Sequence, residues 1–192
     1  MAIMTLLFPT LMALYLCLFT SSCVTGVTKA ELLSNLHKTE SIVFVEIGTA
    51  NKRGWFEIKP TKEVISDTNK VGTLVEKIKG PSNVDGPLIG QLASLLFLGK
   101  NGKPIALVDI ICHKSEISIS SAIWKSGNKY YWTAPLTDKC ERIDMRAEEF
   151  VRDIFDYMKI NMPDRLKYLR DVYHSYNKNL ELEEMIFGKD KK

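Results

Sequence analysis

Two periods order the apolar positions of this chain: short β-like runs dominate residues 41–133, and helical spacing dominates residues 147–176. Ser41-Ile-Val-Phe-Val-Glu-Ile47 is rich in β-branched and aromatic residues and predicts a strand. Trp55-Phe-Glu-Ile58 pairs back across a Thr49–Gly54 turn until Pro60, which cannot donate to a ladder, ends it. Leu95–Leu98 and Ile105–Ile111 flank Asn101-Gly102, a pair suited to the positive φ angles of a tight hairpin turn. Glu116 to Trp124 alternates as one strand, turns at Ser126-Gly127-Asn128, and returns as Lys129–Thr133. The four consecutive strands predict an antiparallel sheet, which the earlier pair would extend.

Helical segments are expected in five places. Leu32, Leu33 and Leu36 mark a short stretch over Lys29–His37, and Val71, Leu74, Val75 and Ile78 follow Ser66 and Asp67, either of which suits a helix N-terminus. Ala147, Phe150, Val151, Ile154, Phe155 and Met158 form a stripe opposite Glu149, Asp153 and Asp156, with Asp144 as its expected cap. Pro163 opens the next helix, carrying Leu166, Leu169, Val172, Tyr173 and Tyr176, and a third short segment spans Leu180–Phe187. The expected fold is α+β: an antiparallel sheet of about four to six strands followed by C-terminal helices covering one face.

The first 28 residues carry no charged side chain. The apolar run from Leu6 to Phe19 is compatible with the core of a secretory signal, about 7–15 residues, and Met1 to Val27 is long enough to remain as an anchor. Polar Thr20-Ser21-Ser22 favours cleavage over continued burial in lipid. Leu18-Phe-Thr-Ser-Ser-Cys23 resembles the lipobox of bacterial lipoproteins at Ser21, Ser22 and Cys23, with Thr20 standing where that family usually has Leu. The resemblance is confined to this leader. It implies cleavage before Cys23, a lipid on its thiol, and display at a membrane of the cell envelope. The corresponding division is a signal peptide at 1–22, a lipidated N-terminus and tether at 23–40, and a single domain at 41–192. The body of roughly 170 residues after cleavage is the size of one domain.

The same reading accounts for the cysteines. Cys17 leaves with the leader and Cys23 takes the lipid, so Cys112 and Cys140 remain as an even pair in an exported domain. A bridge between them would contribute about 3–4 kcal/mol under the chain-entropy model; the alternative is two reduced thiols packed as small hydrophobes.

Composition adds exclusions. A net charge of +3, partly held in the terminal Lys189-Asp-Lys-Lys192, does not make a nucleic-acid-binding face. His37, His113 and His174 lie in separate segments without the spacing of a zinc site, and no phosphate loop, dinucleotide fingerprint or C-x-x-C motif implies a cofactor. Cys112 and His113 are neighbours whose side chains strand geometry sends to opposite faces, a poor nucleophile and base. Glu149, Asp153 and Asp156 read as the solvated side of a helix. No catalytic or metal-binding residue is therefore assigned. Trp124, Tyr130, Tyr131 and Trp132 crowd one hairpin; alternation puts Tyr130 and Trp132 on one face and Tyr131 on the other, so one set packs inward while the other is free to meet an envelope protein, peptide or glycan. The expected role is binding by a lipid-anchored or secreted protein, the alternative an exported enzyme with a dispersed site.

Overall fold

A computed structural model describes residues 28–80, 91–111, 115–133 and 142–176, with 170–176 described as helical backbone only. In chain order the elements are α1 (Lys29–Leu36), β1 (Ser41–Ala50), β2 (Trp55–Ile65), α2 (Thr68–Glu76), β3 (Gln91–Leu98), β4 (Pro104–Ile111), β5 (Glu116–Ser120), β6 (Ile123–Ser126), β7 (Lys129–Thr133), β8 (Arg142–Arg146), α3 (Glu148–Asn161) and α4 (Pro163–Tyr176). All eight strands join one antiparallel sheet in the order β6-β7-β2-β1-β3-β4-β5-β8.

The expected sheet of about four to six strands, with helices following it, is therefore corrected to eight strands. Two departures each add a strand, and a third lengthens one. The run from Glu116 to Trp124 breaks at Ser121-Ala122, and its second half becomes β6, which pairs with β7 beside β2 and not beside β5. Arg142–Arg146 forms an edge strand on β5, so Asp144 sits in β8 and does not cap α3; the N-cap is Ala147, without a side-chain hydrogen bond. Finally, β2 continues past Pro60, which lies opposite Val45 where the ladder shifts register, a position that tolerates a missing donor.

The sheet curls strongly. In a flat sheet β7 and β5 would stand five strand spacings apart, about 24 Å. Here Trp132 Nε1 donates to Ser120 Oγ at 3.1 Å, and Tyr130 Oη donates to the Gly102 carbonyl at 3.0 Å. The sheet is thus half a barrel, with β6 and β7 folded over the β3–β5 side. Asn101 and Gly102, at φ 58° and 67°, supply the positive angles that the β3–β4 turn needs.

Curling creates two cores from one sheet. The inner face buries Val43, Val45, Ile58, Leu96, Leu98, Leu107 and Tyr130, with Ile47, Ile123 and Trp132 packed against them. The outer face buries Ile42, Phe44, Leu95, Phe97, Val108, Ile117 and Ile119 against helices. Those helices come from the beginning and middle of the chain as well as its end. Leu32 and Leu36 of α1, Val71, Leu74 and Val75 of α2, and Phe150, Val151, Ile154, Phe155 and Met158 of α3 all enter this core, where Phe150 meets Phe97 at 6.3 Å between ring centres. A Thr28–Glu31 capping box starts α1, and the Asp67 carboxylate, accepting from Lys70 N at 2.9 Å, starts α2. A 2.5 Å Lys77–Asp153 ion pair ties α2 to α3. The continuous apolar run in β3 follows from this layering, because every residue from Leu92 to Leu98 meets one core or is otherwise buried.

Candidate functional site

Four aromatic residues marked the β6–β7 hairpin in the sequence, and the curl divides them. Tyr130 and Trp132 point inward: Tyr130 is 8% exposed, and both belong to the inner packing. Trp124 and Tyr131 lie opposite one another in register on the other face, with ring centres 5.8 Å apart and planes 21° from parallel. The β2–β7 ladder brings in Trp55, whose ring meets Trp124 edge-on at 5.1 Å and Tyr131 at 6.4 Å. All three rings are half-buried, and none belongs to either core. Among the described residues they form a ledge outside both cores.

Charged groups border the ledge. Arg53 places its guanidinium 5.1 Å from the centre of the Trp55 ring. Its turn is held by the Asn51 side-chain oxygen, which accepts from Arg53 N at 2.8 Å and Trp55 N at 3.1 Å. Lys129 pairs with Glu57 at 2.9 Å, and that carboxylate raises the lysine's proton affinity. Trp55 and Arg53 went unrecognised in the sequence because they join Trp124 only through the pairing of β2 with β7, more than 70 residues away.

A second constellation occupies the inner face toward β8. Ser94 of β3, Asp109 of β4, Ser118 of β5 and Asp144 of β8 stand in register across four strands. They point away from the helices, because their neighbours Leu95, Val108, Ile110, Ile117, Ile119, Ile143 and Met145 fill the outer core. The half-buried Asp109 carboxylate accepts from Ser94 Oγ at 2.8 Å and Gln91 Nε2 at 2.5 Å, both at Oδ1. Burial pushes its pKa up; those hydrogen bonds and Arg142 oppose the rise, and Asp144 adds to it. Asp144 Oδ1 accepts from Arg142 Nε at 2.9 Å. Ser118 is 4% exposed and Ser120 2%. The sequence signal was an aspartate inside the apolar run Leu107-Val-Asp-Ile-Ile111 and the serine alternation of β5.

A shallow cleft of about 460 Å³ lies between the end of α1 and the β3–β4 turn, bordered by Lys38, Lys100 and Lys103 with Glu40. Cys23, Cys112, Cys140 and His113 lie outside the described residues, as do the leader, the loop from Pro81 to Gly90 and the expected helix at 180–187; nothing is described of the His174 side chain. His37 ends α1 as its C-cap. Among the described residues no three His, Cys, Asp or Glu side chains are grouped to hold a metal ion, and no helix is long and apolar enough to cross a membrane. No protein-family model matches this chain, and no curated protein or solved structure matches it significantly.

Proposed function

We propose that this chain is an exported cell-envelope protein, anchored through a lipid on Cys23, that acts by binding and takes an envelope peptide or glycan on the Trp55–Trp124–Tyr131 ledge. One observation carries the binding role: three half-exposed rings in mutual contact lie outside both cores of the domain. Packing within the domain would have drawn such rings inward. Aromatic side chains left at a surface offer large apolar area at low conformational cost, and the Arg53, Glu57 and Lys129 border supplies hydrogen-bonding partners around it.

The test is co-sedimentation of the soluble domain with isolated envelope material. Trp124→Ala combined with Tyr131→Ala should weaken retention by about tenfold or more, the size expected for aromatic anchors at an interface. Tyr130 is buried, so Tyr130→Phe should leave retention unchanged. Equal retention of the folded double variant and the parent would reject the ledge as the binding surface. Digestion of the envelope glycan or of its protein before sedimentation separates the two ligand classes.

A further inference from the structure

The inner-face row has acceptors left over. Asp109 receives both of its hydrogen bonds at Oδ1, and Asp144 receives Arg142 at Oδ1, so Oδ2 of each makes no hydrogen bond among the described residues. Between them in register lies Ser118, more than nine-tenths buried, whose hydroxyl also makes none among the described residues. Among all the described residues Thr39 Oγ1, outside this row, is the one sealed side-chain oxygen without a partner. The unpartnered oxygens of the row are therefore not fully sealed. Two carboxylate oxygens and one hydroxyl thus face the same side of three adjacent strands.

We infer that Asp109, Ser118 and Asp144 form a binding site for the ammonium group of a small primary amine. An alkylammonium carries three N–H donors and no acceptor, which matches three acceptors. Asp109 and Asp144 are two strand spacings apart, about 10 Å between Cα atoms, leaving Ser118 as the floor between their side chains. Charge agrees with this occupant. The two carboxylates of the row, Asp109 and Asp144, have one guanidinium acting on both, that of Arg142. Arg142 is already engaged with Asp144, and Arg146 lies 3.9 Å from Glu116. A cation arriving beside Asp109 also offsets the burial that opposes its ionisation. A metal ion is less well supported, since the described residues group no third His, Cys, Asp or Glu with these two carboxylates. The amine's carbon chain would have apolar neighbours further along the same face, at Leu107 and Trp132.

Propylamine is a direct probe, followed by amide chemical shifts in NMR titration of the soluble domain. A ligand of so few atoms should bind with a dissociation constant on the order of 1 mM. Shifts should concentrate on β4, β5 and β8. Propanol, which lacks the charge, and tetramethylammonium, which lacks N–H donors, should each bind about tenfold or more weakly. Asp109→Asn should lose about tenfold or more in affinity, and Ser118→Ala about threefold while preserving the charge, which covers the case in which the Asn variant does not fold. Trp124→Ala should leave amine binding unchanged, which keeps this result separate from that of the ledge. Absence of saturable shifts in the parent, shifts scattered over surface carboxylates, equal binding by tetramethylammonium, or unchanged affinity in folded Asp109→Asn would each overturn the assignment.

Discussion

Replacing Leu96 by Ala tests the curl directly, because the two faces of a sheet with helices on one side only would respond very differently. Leu96 points to the face opposite the helices, into the cluster with Val43, Val45, Ile58, Leu107 and Tyr130, and its exposure is 0%. Were that face solvated, truncating Leu96 would change stability by no more than about 0.5 kcal/mol. In the curled sheet the substitution removes buried methyl and methylene groups and leaves a cavity closed on one side by β2 and β7. Leu→Ala changes of that kind cost about 2.7–5 kcal/mol, the lower part of the range applying where neighbours relax into the space. Taking about 3 kcal/mol and a urea m-value of about 2 kcal/mol/M, the unfolding midpoint should fall by about 1.5 M. Urea unfolding followed by far-ultraviolet circular dichroism measures it. A midpoint shift below about 0.3 M with an unchanged m-value would mean that the inner face is not a core, and the half-barrel would be wrong.

Two further substitutions probe other joints. Gly80 lies against the Arg146 carbonyl so closely that a Cβ there would come within 2.1 Å of the oxygen, so Gly80→Ala should destabilise the domain by about 1–3 kcal/mol in the same assay, and a neutral result would contradict that contact. Asp109 has a folded pKa raised by burial, so its contribution to stability is fully present below the unfolded value of about 3.9 and is lost as pH rises through the folded pKa. The stability of the parent relative to Asp109→Asn should therefore fall from about pH 3 to pH 7, as measured by urea midpoints across that range; a difference that grew over the same interval would reverse the sign of the argument.

Local chemistry made some of this structure readable in the sequence and left the rest out of reach. Asn101-Gly102 marks its turn because only a few residue types accept positive φ at both positions, and Asp67 marks a helix start because its carboxylate meets a backbone N–H within its own first turn. The stripe at Phe150, Val151, Ile154, Phe155 and Met158 is legible for the same reason: one helix face is a local pattern. Strand order is not. Alternation in Glu116–Trp124 continues across Ser121-Ala122, so nothing in the pattern reveals that the chain leaves one side of the sheet and rejoins it beside β2. Arg142-Ile-Asp-Met-Arg146 has only two apolar residues and an aspartate that suits a helix cap equally well, and its pairing with β5 decides between the two. The candidate sites inherit this limit. Trp124 and Tyr131 were visible, but Trp55 joins them across the sheet, and the Asp109–Ser118–Asp144 row exists only once three strands are in register.

Binding at the envelope depends on delivery to it, so the central claim is export and anchoring through Cys23. The most direct measurement is the intact mass of the protein recovered from the membrane fraction of cells that make it. The account predicts a chain beginning at Cys23 and heavier than its sequence by a lipid modification, one that Cys23→Ser abolishes together with membrane attachment. An unmodified chain retaining Met1 would contradict it.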